Sequence, residues 1–145
     1  MRIFHIARAA DWEQARRSGS YTVSSYGRTL QQEGFIHASR REQVRAVFDR
    51  FYRDVPDRLV LLAIDTDLLT APWVDEPVGT EVFPHIHGPL NTSAVVGVAR
   101  LDRNGEIEPF GVDFAREVVK RVLVIAAVLF VLAVAALVLA GTLGG

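Results

Sequence analysis

The four histidines are the residues of this chain best suited to chemistry near neutral pH, because imidazole can exchange a proton, bind a metal or contact a phosphate. They lie in three short, largely apolar motifs: FHIA at residues 4–7, EGFIHAS at 33–39 and FPHIHGPL at 83–90. The motifs are far apart in the chain but similar in composition. We therefore expect the fold to bring His5, His37 and His85 into one polar pocket.

The EGFIHAS motif has the alternation of a strand, which places Phe35, His37 and Ser39 on one face. Ser39 and Glu42 also have the spacing of a capping box, which predicts that a helix begins there. Exposed N–H groups at such a helix start, together with Arg40, would favour an anion. The alternative is that Ser39 only caps the helix and His37 is a hydrogen-bonded core residue, and the sequence leaves both interpretations open.

The FPHIHGPL motif carries two imidazoles two positions apart, His85 and His87. Such a pair can share a strand face and resembles part of a metal site, although zinc usually needs at least three protein ligands. The other ligands would come from His5, His37, Glu76 or Glu81. Pro84 and Pro89 favour a rigid loop over a regular strand, so a metal site is the less favoured interpretation.

Composition excludes several classes of function. The chain has no cysteine, which excludes disulfides, thiol catalysis and cysteine-ligated metal sites. Its net charge is −1 and its pI about 6.4, which argues against non-specific binding of nucleic acid. It also lacks the GxSxG, P-loop and GxGxxG patterns of nucleophile elbows and nucleotide-binding loops.

The carboxyl-terminal part of the chain predicts a membrane anchor. No charged residue follows Arg121, and residues 122–140 are all apolar, close to the roughly 20 residues that cross a bilayer. A core helix of a small domain would show a polar stripe, and this segment has none. Arg116 and Lys120 precede it, which places the amino-terminal domain in the cytoplasm by the positive-inside rule. Because the first ten residues do not form a signal peptide, we expect a single-pass, tail-anchored membrane protein.

Periodicity predicts a mixed α+β head. Strands are expected at residues 2–7, 35–39, 59–64, 73–78, 81–86 and 94–101, and helices at 11–17 and about 40–52. Residues 20–32 are polar and predict a loop with one helical turn. The predicted domains are a head at residues 1–101, a linker at 102–112, a juxtamembrane helix start at 113–121 and a transmembrane segment at 122–143.

Several of these motifs together resemble the bacterial DUF952 family. The matching features are FHIA, Trp12 with Ala15, Gly19-Ser20-Tyr21, EGFIHAS followed by Gln43-Val44, LVLLAID, Glu76 and FPHIHGPL. They cover residues 2–101, nearly the whole head. The family's fold is similar to that of ADP-ribosyltransferases, so the resemblance implies a split, strongly bent sheet around a dinucleotide cleft.

The resemblance also implies a site. A histidine on the first strand and a later G-x-x-H-x-S strand look like motifs of RNA 2′-phosphotransferases, which share that fold and use NAD. It implies that His5 and His37 line a ribose–phosphate pocket with Ser39 beside them, and NAD is the cofactor to test. As catalytic residues of an enzyme, His37 and His85 would orient or protonate phosphate and ribose oxygens. The expected ligand-binding residues are His5, Ser39, Arg40, Glu76, His87 and Gly88. His87 stands where the family usually has tyrosine, and Glu76 and Glu81 are the candidates for a transferase glutamate.

Three functions follow as hypotheses. The first is an enzyme or binding protein that uses the cleft for NAD or another nucleotide-like small molecule. The second is a sensing module that binds the ligand without chemistry, which fold similarity alone does not separate from the first. The third is a metal-dependent hydrolase that uses the histidine cluster.

Overall fold

The computed structural model of the protein describes residues 1–108 and 122–128, and Met1–Glu108 form one compact unit. Its strands are β1 Arg2–Arg8, β2 Ser20–Tyr21, β3 Val23–Ser25, β4 Arg28–Thr29, β5 Ile36–His37, β6 Leu59–Asp65, β7 Trp73–Val78, β8 Glu81–Ile86, β9 Leu90–Asn91 and β10 Val95–Leu101. Its α-helices are α1 Ala9–Ser18, α2 Leu30–Glu33 and α3 Val44–Phe51. The predicted α+β class is confirmed.

Two three-stranded antiparallel sheets organise the unit, in the orders β1-β6-β10 and β5-β8-β7. The pairs β2-β9 and β3-β4 form two smaller sheets. An antiparallel bridge between Phe4 and Ser39 joins β1 to the end of β5, with backbone N···O distances of 2.9 and 2.8 Å. This bridge brings two of the histidine motifs together.

The strand β6 is buried on both faces, which explains its uninterrupted apolar sequence. One face of the β1-β6-β10 sheet packs against α1 and the second sheet. The core on this side includes Ile3, Trp12, Ile36, Leu62, Ile64 and Ile86. The opposite face packs against α3, where the core is Ile6, Phe48, Tyr52, Leu59, Leu61 and Leu101.

The compact unit extends beyond the predicted head boundary at Leu101. A bridge from Leu101 to Ile107 folds the chain back, and Arg45 of α3 forms an ion pair with Glu106 at 2.7 Å. Gly105 has φ +76°, and a Cβ there would overlap the ring of Phe48. The first residues of the predicted linker therefore belong to the head, because their turn packs on the α3 core.

The predicted capping box at Ser39 does not form. The Ser39 hydroxyl instead donates to the backbone carbonyl of Phe4 at 3.3 Å, because Ser39 is engaged in the bridge to β1. A 3₁₀ turn, Arg41–Gln43, precedes α3, and the Gln43 side chain accepts from the Arg40 backbone N–H at 2.8 Å. The anion site expected at a helix start after Ser39 thus loses its structural basis.

Two further predicted elements differ from the structure. The helix α1 begins at Ala9 rather than at a cap on Asp11, because both carboxylate oxygens of Asp11 bind the guanidinium of Arg8 at 2.7 Å. The segment predicted as a loop at 20–32 contains β2, β3, β4 and the start of α2. Its first strand pairs with β9, a partner about seventy residues away that local sequence does not reveal.

Residues 122–128 are helical. Among the residues that the structure describes, no helix is long and apolar enough to cross a membrane. The rest of the predicted transmembrane segment, at 129–143, lies outside the described residues. The predicted juxtamembrane start and the end of the predicted linker, at 109–121, also lie outside them.

Candidate histidine site

The candidate site is one face of the β5-β8-β7 sheet. The register pairs His85 of β8 with His37 of β5 and with Val74 of β7, and cross-strand partners project to the same face. Glu76 lies two residues after Val74 and therefore shares that face. Ile36 and Ile86 are fully buried on the opposite side. We call the face that carries His37, Glu76 and His85 the histidine face.

Aromatic contacts hold the imidazoles of this face together. The ring of Phe35 stacks on His85 with centroids 4.0 Å apart and an interplanar angle of 16°. The ring of His37 meets His85 edge-on at 5.0 Å, and Phe35 also meets His37 edge-on at 4.7 Å. Stacking against Phe35 restricts the orientation of the His85 ring, so its two nitrogens have defined directions.

Glu76 bridges His85 and His87. Its Oε2 accepts a hydrogen bond from Nδ1 of His85, and its Oε1 lies 3.2 Å from Nε2 of His87. The hydrogen bond from His85 lowers the pKa of the Glu76 carboxyl below its usual 4.5. Because an ionised carboxylate can only accept, Nδ1 of His85 carries the proton.

The other nitrogen of His85 is free. Its Nε2 is buried and has no hydrogen-bond partner among the described residues. With the proton on Nδ1, a neutral His85 presents a lone pair at Nε2. An imidazole oriented by a carboxylate through one nitrogen can accept a proton through the other, which is the arrangement of many general bases.

His37 lies beside His85 with 42% of its side chain exposed. Burial, and then the neighbouring His85, lower the pKa of His37 below 6.5. Glu33 opposes this effect, since its Oε2 lies 3.9 Å from Nε2 of His37. His37 is therefore neutral at pH 7 and can offer either a donor or an acceptor to a ligand.

His5 is placed differently from the expectation of a shared pocket. It is 3% exposed, its Nδ1 donates to the His37 carbonyl at 2.6 Å, and its Nε2 accepts from the Tyr21 hydroxyl at 2.9 Å. Burial lowers the pKa of His5 to about 4. His5 shares the face of Ile3 and Ala7 in the core, whereas the side chain of His37 points away from it. The ring of His5 therefore supports the backbone of the site, and neither of its nitrogens is left for a ligand.

Ser39, Arg40 and Gly88 lie around the site in different ways. Ser39 is buried at the bridge to β1. The guanidinium of Arg40 binds both carboxylate oxygens of Asp75 at 2.7 and 2.6 Å, on the sheet face opposite Glu76. Gly88 follows β8, and a Cβ there would lie 2.9 Å from that of Ala71. Gly88 therefore allows a close approach of two chain segments.

The metal alternative requires at least three ligand side chains in one place. Within residues 1–108 and 122–128, no three histidine, aspartate or glutamate side chains are arranged to hold a metal ion. The two carboxylate oxygens of Glu76 contact the imidazoles of His85 and His87, so this carboxylate joins the two histidines.

Comparison with known proteins decides the family. The model of the family described as "Protein of unknown function (DUF952)" matches residues 6–98. The chain belongs to the DUF952 family. That match spans every polar residue of the histidine face and begins immediately after His5.

Solved structures agree with this assignment. The DUF952 domain is similar to the crystal structure of protein CC0527 from Caulobacter crescentus, with 31% identity and a TM-score of 0.62 over 74% of this chain and 94% of that one. The solution NMR structure of CC0527 gives 30% identity and a TM-score of 0.55, over 76% and 93% of the two chains. No curated protein matches the chain.

Two residues of this DUF952 domain contact the histidines in ways that the sequence analysis did not predict. Glu33 contacts His37 across four positions, a spacing within the EGFIHAS motif that could have suggested an acidic partner. Tyr21 is sixteen positions from His5 and carries no local signal for their hydrogen bond. Its packing depends on β2, an element that the sequence did not predict.

Proposed function

We propose that the histidine face of this DUF952 domain binds a nucleotide-like small molecule, with NAD as the first candidate. In this proposal, His85 accepts a proton from a ligand hydroxyl or from a bound water. The observation that carries it is the buried Nε2 of His85, which has no hydrogen-bond partner among the described residues while Glu76 holds Nδ1–H.

The cost of that free nitrogen supports a ligand role. A buried polar atom without a partner costs about 1–3 kcal/mol, which a ligand donor at Nε2 would recover. A sugar hydroxyl is a suitable donor, and the adjacent neutral His37 offers a second contact. The carboxylate of Glu76 also stabilises the imidazolium that forms when His85 takes up a proton.

The polar environment favours recognition of hydroxyl groups over phosphate. Arg40, implicated in anion binding by its position after Ser39, forms an ion pair with Asp75 on the opposite face. Glu33 and Glu76 add negative charge beside the imidazoles. We therefore propose that the ribose of the ligand occupies the histidine face and that its phosphates lie towards solvent. The junction of two sheets at the bridge between Phe4 and Ser39 is compatible with the split sheet of an ADP-ribosyltransferase-like fold.

Thermal unfolding of the full-length protein with NAD, ADP-ribose and AMP tests the proposal. A ligand at 100 times its Kd stabilises the fold by about 2.7 kcal/mol. His85→Asn keeps a donor near Glu76 but removes the atom equivalent to Nε2, so it should abolish the shift. Glu13→Gln, which changes an exposed carboxylate on α1 outside the histidine face, is the matched control and should retain it.

The proposal fails if none of the three ligands moves the transition at millimolar concentration, or if His85→Asn responds like the unmodified protein. Chromatography of the same mixtures separates enzyme from sensor. Release of nicotinamide from NAD, lost in His85→Asn, identifies an enzyme. A thermal shift with intact NAD identifies a binding module.

We also propose that residues 122–143 anchor the domain in a membrane, with the head in the cytoplasm. The support is the uncharged sequence after Arg121 and the basic residues before it. The full-length protein should stay with membranes through an alkaline carbonate wash, and its head should resist protease added outside spheroplasts. Release into the supernatant contradicts the anchor, and digestion of the head contradicts the orientation.

A further inference from the structure

A pocket of about 260 Å³ adjoins the histidine face. It lies between α3 and the place where β1 meets β5. Its walls include five aromatic side chains, Phe4, Tyr26, Phe51, Tyr52 and Phe83. His37 lines the pocket and also contacts His85, and Phe83 lies two residues before His85 on the same strand face. The pocket and the histidine face are therefore continuous through His37.

The pocket is uncharged. Its lining contains no aspartate, glutamate, lysine or arginine. The hydroxyls of Ser39 and Tyr26 donate to the Phe4 carbonyl and to Asp57, at 3.3 and 3.0 Å. A phosphate or carboxylate buried here would lose its hydration without gaining a charged partner. This position therefore suits only a neutral group.

The lining also has a preferred ligand shape. Aromatic walls offer stacked and edge-to-face contacts to a flat ring, worth about 0.5–1.5 kcal/mol for each ring pair beyond area burial. A saturated group of similar size fills the volume without these contacts. Phe51 is 59% exposed, so this ring is available at the mouth of the pocket.

We infer that this pocket holds a flat, uncharged aromatic ring of the ligand, and that the hydroxyl-bearing part attached to that ring reaches His37 and His85. The second half of this statement rests on the proposed function. The inference defines the ligand class as a neutral ring joined to a hydroxylated group, such as a nucleoside. Any phosphate of that ligand lies outside the pocket.

The test uses three small probes of the pocket, titrated into the full-length protein and followed by NMR. Benzyl alcohol is a neutral compound with an aromatic ring, and cyclohexylmethanol is its saturated equivalent. Benzoate has the same aromatic ring but carries a charged carboxylate. Benzyl alcohol should bind most tightly and benzoate least. Phe51→Ala should weaken the binding of benzyl alcohol by about two- to tenfold, because one ring contact is lost. Leu68→Ala, 50% exposed and outside the pocket, is the matched control and should change nothing.

A second variant, Val47→Phe, places a larger side chain in the pocket wall and should exclude all three probes. Equal affinity for benzoate and benzyl alcohol, or an unchanged affinity in Phe51→Ala, overturns the inference. Absence of benzyl alcohol binding overturns it as well. Benzyl alcohol binding to the unmodified protein tests the pocket, whereas the NAD response and its loss in His85→Asn test the proposed function. The two proposals can therefore fail independently of each other.

Discussion

Glu76 and His85 form a carboxylate–imidazole pair in which Oε2 of Glu76 accepts a hydrogen bond from Nδ1 of His85. They come from neighbouring antiparallel strands, β7 and β8, and lie diagonally on the same sheet face. The pair determines which His85 nitrogen carries the proton. In a neutral imidazole with its proton on Nδ1, the lone pair is on Nε2, which is buried and has no partner among the described residues.

Replacing the carboxylate should change the acid response of the protein. The pKa of Glu76 is lowered by its bond to His85, so the ionised form stabilises the fold above pH 4.5. This contribution is lost as the pH falls below 4.5 through the lowered pKa. In Glu76→Gln, urea unfolding should therefore show a smaller loss of stability over this acid range. Glu81→Gln should follow the unmodified protein, and an identical acid profile for both variants would contradict the pair.

His5 should make stability depend on pH in a higher range. Burial lowers its pKa from 6.5 to about 4, so between these values the unfolded chain takes up a proton that the folded state does not. Stability should fall as the pH drops from 6.5 to about 4, by on the order of 3 kcal/mol. The fall should be largely absent in His5→Gln. His37→Gln is the comparison, since the lowered pKa of His37 acts in the same direction. A full pH dependence retained in His5→Gln would show that His5 is not its source.

Tyr21→Phe should destabilise the fold even though it removes only one oxygen atom. Its hydroxyl donates to Nε2 of His5, and without it a buried acceptor has no partner. The expected cost is about 1–3 kcal/mol in chemical denaturation. Tyr26→Phe is the matched control, because the hydroxyl of Tyr26 binds Asp57 at the surface, and it should cost about 0.5 kcal/mol or less. Equal losses in the two variants would argue against the buried hydrogen bond.

Gly105→Ala should destabilise the unit more than Gly79→Ala. Both glycines have positive φ, +76° and +64°, so both substitutions carry a backbone cost of about 1–2 kcal/mol. Only the methyl group at Gly105 overlaps Phe48, while the one at Gly79 meets no atom within 4 Å. Comparison of their free energies of unfolding isolates the steric term. If the two alanine variants are equally stable, the 102–108 turn does not pack on α3 as described.

The sequence predicted the elements whose patterns are local. Residues 59–64 read as a central strand because a strand buried on both faces needs an unbroken apolar run, and β6 has that position. Alternation in EGFIHAS correctly separated His37 from Ile36, which is buried. The same motifs identified the family.

Pairing between distant segments was not predictable in this way. The strand β2 is two residues long and exists because it pairs with β9. Ser39 has the correct spacing to cap a helix, but its bridge to Phe4 competes with that role. Local pattern describes what a residue is able to do, whereas long-range hydrogen bonds decide which of these possibilities is realised.

The sequence by itself determined the α+β class, the family and the concentration of histidines in apolar strands. Tertiary structure alone decided their separate environments. Alternation shows which neighbours share a face of one strand, but not whether that face meets the core or the ligand side. His5 therefore lies buried with both nitrogens bonded, whereas the register of β5, β8 and β7 brings His37, His85 and Glu76 together. A free imidazole nitrogen depends on three strands aligned in space, which no single segment of sequence contains.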